Sequence, residues 1–135
     1  MNETSVSTMN QTEADHLLQS LARTIAQAAH EQPEWESALA IIHADQGSVD
    51  ASAYVYDAKA HAPLLIEDDA FFVDLFDFYD ATTENEANPW KACLFGVSKQ
   101  GEFRLRFGHE TDQWRITPAN IDTLPAELRP SFDAS

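Results

Sequence analysis

A chain of 135 residues that is 44% hydrophobic holds one domain's worth of sequence: enough for a single core, and too apolar for an acidic disordered segment. Twenty-three Asp and Glu against eight Lys and Arg leave a formal net charge of −15, which repels phosphate backbones and anionic lipid, so direct binding to nucleic acid or a membrane is not expected. One cysteine, Cys93, excludes an internal disulfide and a multi-cysteine zinc site.

Residues 1–11 are mostly Ser, Thr and Asn and read as a flexible tail; residues 12–130 read as a single domain, and 131–135 as a second short tail. Thr12 with Asp15 forms a capping-box arrangement at the start of a helix. Leu17, Leu18, Leu21, Ile25 and Ala28 repeat at helical spacing until Pro33 stops the pattern. Residues 35–45 look like a strand around Leu39, Ile41 and Ile42, and Gln46-Gly47-Ser48 supplies a turn. In residues 49–57 Val49, Ala51, Ala53 and Val55 alternate with outward Asp50, Ser52, Tyr54 and Tyr56, the mark of a half-buried antiparallel strand. A loop with Lys59, His61 and Pro63 then leads to a short third strand at residues 64–66.

Asp68 or Asp69 caps a second helix. At 100° per residue, Phe71, Phe72, Leu75, Phe76 and Tyr79 share one arc, expected to face the core. Asp74, Asp77, Asp80 and Glu84 share the opposite arc, with Val73 and Phe78 on or beside it. No Lys or Arg occurs between Ala60 and Pro89 to neutralise these acids. After Pro89, period two returns: residues 90–98 and 102–107 read as strands joined by a short loop with Gly101 at its bulge position. In the last strand Phe103, Leu105 and Phe107 face inward and Arg104 and Arg106 outward. Trp114, behind Glu110 and Asp112 in an irregular stretch, is either an exposed anchor or a packing residue. Thr117-Pro118 opens a short helix carrying Ile121 and Leu124. The fold class is therefore α+β: an antiparallel sheet of about five strands with helices on one face, in the order α-βββ-α-ββ-(α).

Signatures of catalysis are missing. There is no GxGxxG or P-loop run, no HExxH or other metal spacing among the five histidines, and no nucleophile elbow. Cys93 lies among apolar neighbours, where a thiol is inert. No enzyme activity, cofactor or metal is expected. No apolar run reaches spanning length and no signal-peptide pattern opens the chain, so a cytoplasmic protein is expected. Carboxylates at helical spacing with no cation to relieve them read either as a solvated face or as a landing surface for a basic protein, and the second is the expectation. The candidate partner-binding residues are Asp74, Asp77, Asp80, Glu84, Val73, Phe78, Glu110, Asp112 and Trp114.

The helix HLLQSLARTIAQAA, Trp35 before the first strand, the YVY run at Tyr54 to Tyr56, the aromatic-acidic helix and above all NPWKACLFGVSKQGEFRLRFGHE give the chain a family likeness over about Asp15 to Trp114. It resembles the YezG-like immunity proteins of bacterial polymorphic and contact-dependent toxin systems. The resemblance implies a stoichiometric inhibitor of a cognate basic toxin domain, often a nuclease; the net charge argues against contact with nucleic acid or membrane, and the oligomeric state stays open with a monomer favoured. The alternative is a small acidic type III secretion chaperone that holds an effector segment and dimerises; an orphan enzyme or small-ligand protein is the third reading.

Overall fold

The computed structural model describes residues 4–45, 48–84 and 86–130, with side chains from residue 15 onward. Its elements are α1 (Thr4–Ala29), β1 (Ser37–Asp45), β2 (Ser48–Tyr56), β3 (His61–Leu64), α2 (Asp69–Thr83), β4 (Ala92–Ser98), β5 (Phe103–Gly108) and the one-turn α3 (Leu124–Glu127). The class is α+β, as the sequence predicts. Five antiparallel strands lie in the order β3-β2-β1-β4-β5.

β1 sits at the centre because it is apolar on both of its faces. Ala38, Ala40, Ile42 and Ala44 point to one side, and Leu39 and Ile41 to the other. The first side receives α1 through Leu18, Leu21, Ile25 and Ala29, and α2 through Phe71, Leu75 and Phe78. α2 lies within the connection that carries the chain from the outer strand β3 back to β4, beside β1. The hairpin β4–β5 closes as its sequence implies: Gly101 adopts φ 97°, Gly101 N–H donates to Ser98 C=O, and Ser98 N–H donates to Glu102 C=O.

Several boundaries move. α1 begins at Thr4, so Thr12 lies inside the helix and is not its cap. The third strand spans His61–Leu64, not residues 64–66, because Ala62 and Pro63 pair with Val55 and Tyr54. The C-terminal helix is one turn at Leu124–Glu127; Thr117 starts a run of turns and Ile121 stays exposed. The Gln46-Gly47 turn and residues 1–3 and 131–135 lie outside the described residues.

Two corrections change the surface. Tyr54 and Tyr56 do point away from the helices, yet both are buried, because the chain after β5 folds over that face with Trp114, Ile116 and Leu128. The Tyr56 hydroxyl donates to Pro125 C=O at 2.6 Å and Arg129 lies over its ring at 5.0 Å. Burial pushes the Tyr56 phenol well above its usual range, an effect the Arg129 charge partly offsets. The second correction is the rotation of α2. Phe78 is a core residue, 1% exposed, tilted against Trp90 and stacked on Phe107, whereas Phe72 and Phe76 are 40% and 46% exposed.

Phe78→Ala is expected to destabilise the fold by about 3–5 kcal/mol, and Phe72→Ala by no more than about 0.5 kcal/mol, in urea unfolding followed by circular dichroism. Tyr56→Phe leaves the Pro125 carbonyl without its donor and should lower stability by about 1–1.5 kcal/mol in the same measurement.

Candidate functional site

α2 is held at both ends by its own sequence. Asp68, extended at φ −86° and ψ 113°, accepts from Ala70 N–H with its carboxylate and from Phe71 N–H with its carbonyl. Asp69 adds negative charge where the helix dipole is positive. At the far end the Thr82 and Thr83 hydroxyls donate back to the Phe78 and Tyr79 carbonyls, and Trp90 Nε1 donates to Thr82 Oγ1 at 2.9 Å. The last bond ties the helix end to the residue just before β4.

The residues facing away from the core are then set by 100° steps. Phe72, Phe76 and Val73 are exposed, the last at 60%, and Asp69, Asp77, Asp80 and Glu84 are exposed on the same arc. Leu65, 74% exposed, lies in the short connection just before the helix. Among the described residues none of these four acids pairs with a Lys or Arg. The exposed face is therefore mixed, with Phe72 and Phe76 as well as the expected Val73 standing between carboxylates.

Asp74 leaves the candidate set as a free charge. It is half-buried and accepts the Ser20 hydroxyl of α1 at 2.8 Å, so it joins the two helices. Phe78 leaves it as well, since a buried side chain between Trp90 and Phe107 touches no partner. Asp77, Asp80, Glu84 and Val73 stay on the open face.

The other three candidates do not join this face. Glu110 and Asp112 are exposed, but they belong to the segment that covers the opposite side of the sheet. Asp112 and Trp114 both have positive φ, 61° and 62°, and the Asp112 carboxylate pairs with Arg115 Nε at 2.8 Å. A left-handed conformation is tolerable for Asp and costs Trp about 1–2 kcal/mol. Packing holds it there: Trp114 lies half-buried over the second core cluster, Arg106 stands 5.3 Å from its ring centroid, and His43 Nε2 bonds Gln113 C=O at 2.8 Å. Trp114 is a cover residue and not an exposed anchor.

The sequence reading missed Phe72 and Phe76 as surface residues. The pattern Phe71, Leu75, Phe78, Thr82 is as helical as the one it favoured, and the threonines at the end of that row were the available clue, because their hydroxyls mark the side that meets Trp90.

Away from α2 lie open depressions of mixed chemistry, the larger of about 830 Å³ lined by Glu34, Glu36, Ser37, Ser98, Lys99 and Glu102 among others. An open depression of about 350 Å³ brings together Glu34, Asp57 and His61 beside Trp35 and Tyr56, and no Ser, Thr or Cys lines it. Asp57 is held below the usual carboxylate range by the backbone N–H groups of Lys59 and Ala60. Among the described residues no three His, Cys, Asp or Glu side chains converge as metal ligands, and no helix is long and apolar enough to cross a membrane. Cys93 is fully buried and burial pushes its thiol up, against a smaller opposing effect of the Arg106 N–H. Native protein should leave Ellman's reagent almost unconsumed at pH 8, and unfolding in guanidinium should release one reactive thiol. Compared with models of known protein families and with characterised proteins, the chain matches none.

Proposed function

We propose that this chain is an immunity protein, a cytoplasmic inhibitor that binds one cognate toxin domain and transforms nothing itself. The observation that carries the reading is the open face of α2. Phe72, Val73 and Phe76 lie exposed among Asp69, Asp77, Asp80 and Glu84, acids that among the described residues pair with no Lys or Arg, on a helix fastened at both ends.

Each half of that face has a separate task. Carboxylates steer a basic partner into place and raise the rate of encounter, an effect that salt weakens. Once water is expelled, the apolar side chains set how long the complex lasts. A toxin domain that acts on nucleic acid carries a basic surface for phosphate, and the carboxylates of α2 are of the sign to occupy it. The resemblance to YezG-like immunity proteins points to the same partner class, and the net charge of −15 suits it. A fixed helix also loses little conformational freedom on binding, so less of the contact energy is spent on ordering.

Asp77→Lys, Asp80→Lys and Glu84→Lys combined should slow association with a basic nuclease-type toxin domain at least tenfold at low salt and flatten its salt dependence, while leaving the melting temperature near that of the parent. Phe76→Ala should leave association nearly unchanged and speed dissociation at least tenfold. Stopped-flow and surface-binding kinetics measure both. Rates insensitive to all four changes would remove α2 from the interface. Light scattering should find one chain with one folded toxin domain; a dimer holding an unfolded segment would return the chaperone reading.

A further inference from the structure

The open side of α2 carries two kinds of side chain in two rows. Phe72 and Phe76 stand about 40° apart on the flank turned away from α1, since the bond between Ser20 and Asp74 marks the α1 side. Asp69, Asp80, Glu84 and Asp77 follow across the crest toward α1, with Val73 among them. The Phe72 ring is steadied by the buried Phe71, edge-on at 5.3 Å. Tyr79, half-buried against Trp90 at 4.9 Å, ends the aromatic row.

Rings running beside anions are the two recognition elements of a single strand of nucleic acid. A duplex turns its bases inward and offers phosphates and groove edges, with no ring face free for stacking. Proteins that hold single strands therefore set a cationic track beside aromatic or guanidinium platforms. Spacing narrows the match further. Four helical residues rise about 6 Å, so the Phe72 and Phe76 rings lie further apart than bases stacked at about 3.4 Å. They suit platforms that take bases one at a time, already unstacked. A cleft built for phosphate alone would meet the carboxylates and leave Phe72, Val73 and Phe76 against charged groups.

We propose that α2 occupies the single-strand substrate groove of its partner, with its carboxylates on the cations that hold phosphates and the Phe72 and Phe76 rings on the platforms that stack bases. This deepens the immunity reading and rests on it: the partner is a basic domain that acts on single-stranded nucleic acid, and the chain binds in competition with that substrate. Charge complementarity selects this occupant. With no Lys or Arg from Ala60 to Pro89, the segment has the sign of the strand it replaces. A partner guanidinium that binds phosphate can also lie over a phenyl face, so one cationic groove serves both rows. An uncharged apolar groove would strip water from the acids and give them no counter-charge. A second copy of this chain fits worse, because it would set acids against acids.

The test uses the full chain and a catalytically inactive form of the nuclease-type toxin domain, loaded with a dye-labelled single-stranded oligonucleotide of about twelve nucleotides and followed by fluorescence anisotropy. The chain should release the oligonucleotide completely, and tenfold more oligonucleotide should raise the chain needed for half-release about tenfold. Phe72→Leu/Phe76→Leu keeps apolar area and loses the rings, so it should need at least tenfold more chain. Phe72→Tyr/Phe76→Tyr keeps the rings and should stay within about threefold of the parent. Both positions are exposed, and unchanged melting temperatures in the two variants confirm that folding is retained. A complex of chain, domain and oligonucleotide together would overturn the proposal and leave the immunity reading standing. So would a leucine variant that competes as well as the tyrosine variant, or release of a duplex oligonucleotide but not of the single strand. A chain that binds the domain in no arm of the experiment would remove the immunity reading and this inference with it.

Discussion

Burial of β1 on both faces is the constraint from which the rest of the molecule follows. Ser37 through Ala44 are all buried, so neither side of the sheet's centre is left to water. One side is met by two helices and the other by a segment of low regularity. Every backbone group of β1 is paired laterally by β2 and β4, and its small residues Ala38, Ala40 and Ala44 let the helices approach closely. Cover on the second face is thinner: Trp114, Ile116 and Leu128, with Tyr56 bonded to Pro125 as a fastening point. That face holds through a few aromatic and hydrogen-bonded contacts, which accounts for two residues with positive φ in the turn that delivers Trp114.

The charge pattern follows from the same layering. With both faces of the sheet's centre occupied, carboxylates other than Asp45 and Asp50 at the strand ends take the outer sides of helices and loops, and the mutual repulsion of those on α2 is left to solvent. Asp74 is the exception that orients the helix, because its bond to Ser20 draws that side toward α1. Once Phe71, Leu75 and Phe78 take the core, Phe72 and Phe76 have nowhere to go but outward. An arc that exposes two phenylalanines and a valine beside four acids is costly for solubility. The cations obey a different geography: Arg104, Arg106 and Arg129 gather on the covered face near the β5 edge, a face whose covering segment also carries the exposed acids Glu110 and Asp112.

Four of the five strands, the hairpin and the order of elements were legible in the residues alone, while the third strand was placed three residues late. Alternation from Val49 to Val55 and from Phe103 to Phe107 can satisfy only a period of two, and Gly101 stands where the bulge needs its left-handed residue. Local chemistry also offered Asp68 or Asp69 as the cap, of which the structure uses Asp68, and marked Cys93 as interior. Errors arose where two arrangements satisfy the same local rule. In α2, aromatic residues occupy several arcs, so periodicity permits more than one buried face. Past His109 no period exists to read, because a covering segment is ordered by what it lies on and not by its own repeat.

Composition and spacing by themselves thus determined the class, the chain order of elements, the acidity and the absence of familiar catalytic motifs, since those depend on neighbours within a few residues. Tertiary structure alone decided which side of α2 meets water, that Tyr54 and Tyr56 are covered, and that Glu110, Asp112 and Trp114 stand apart from the helix acids. Those outcomes hang on contacts between residues dozens of positions apart, such as Ser20 with Asp74 and Phe78 with Phe107, whose packing energy no local pattern encodes.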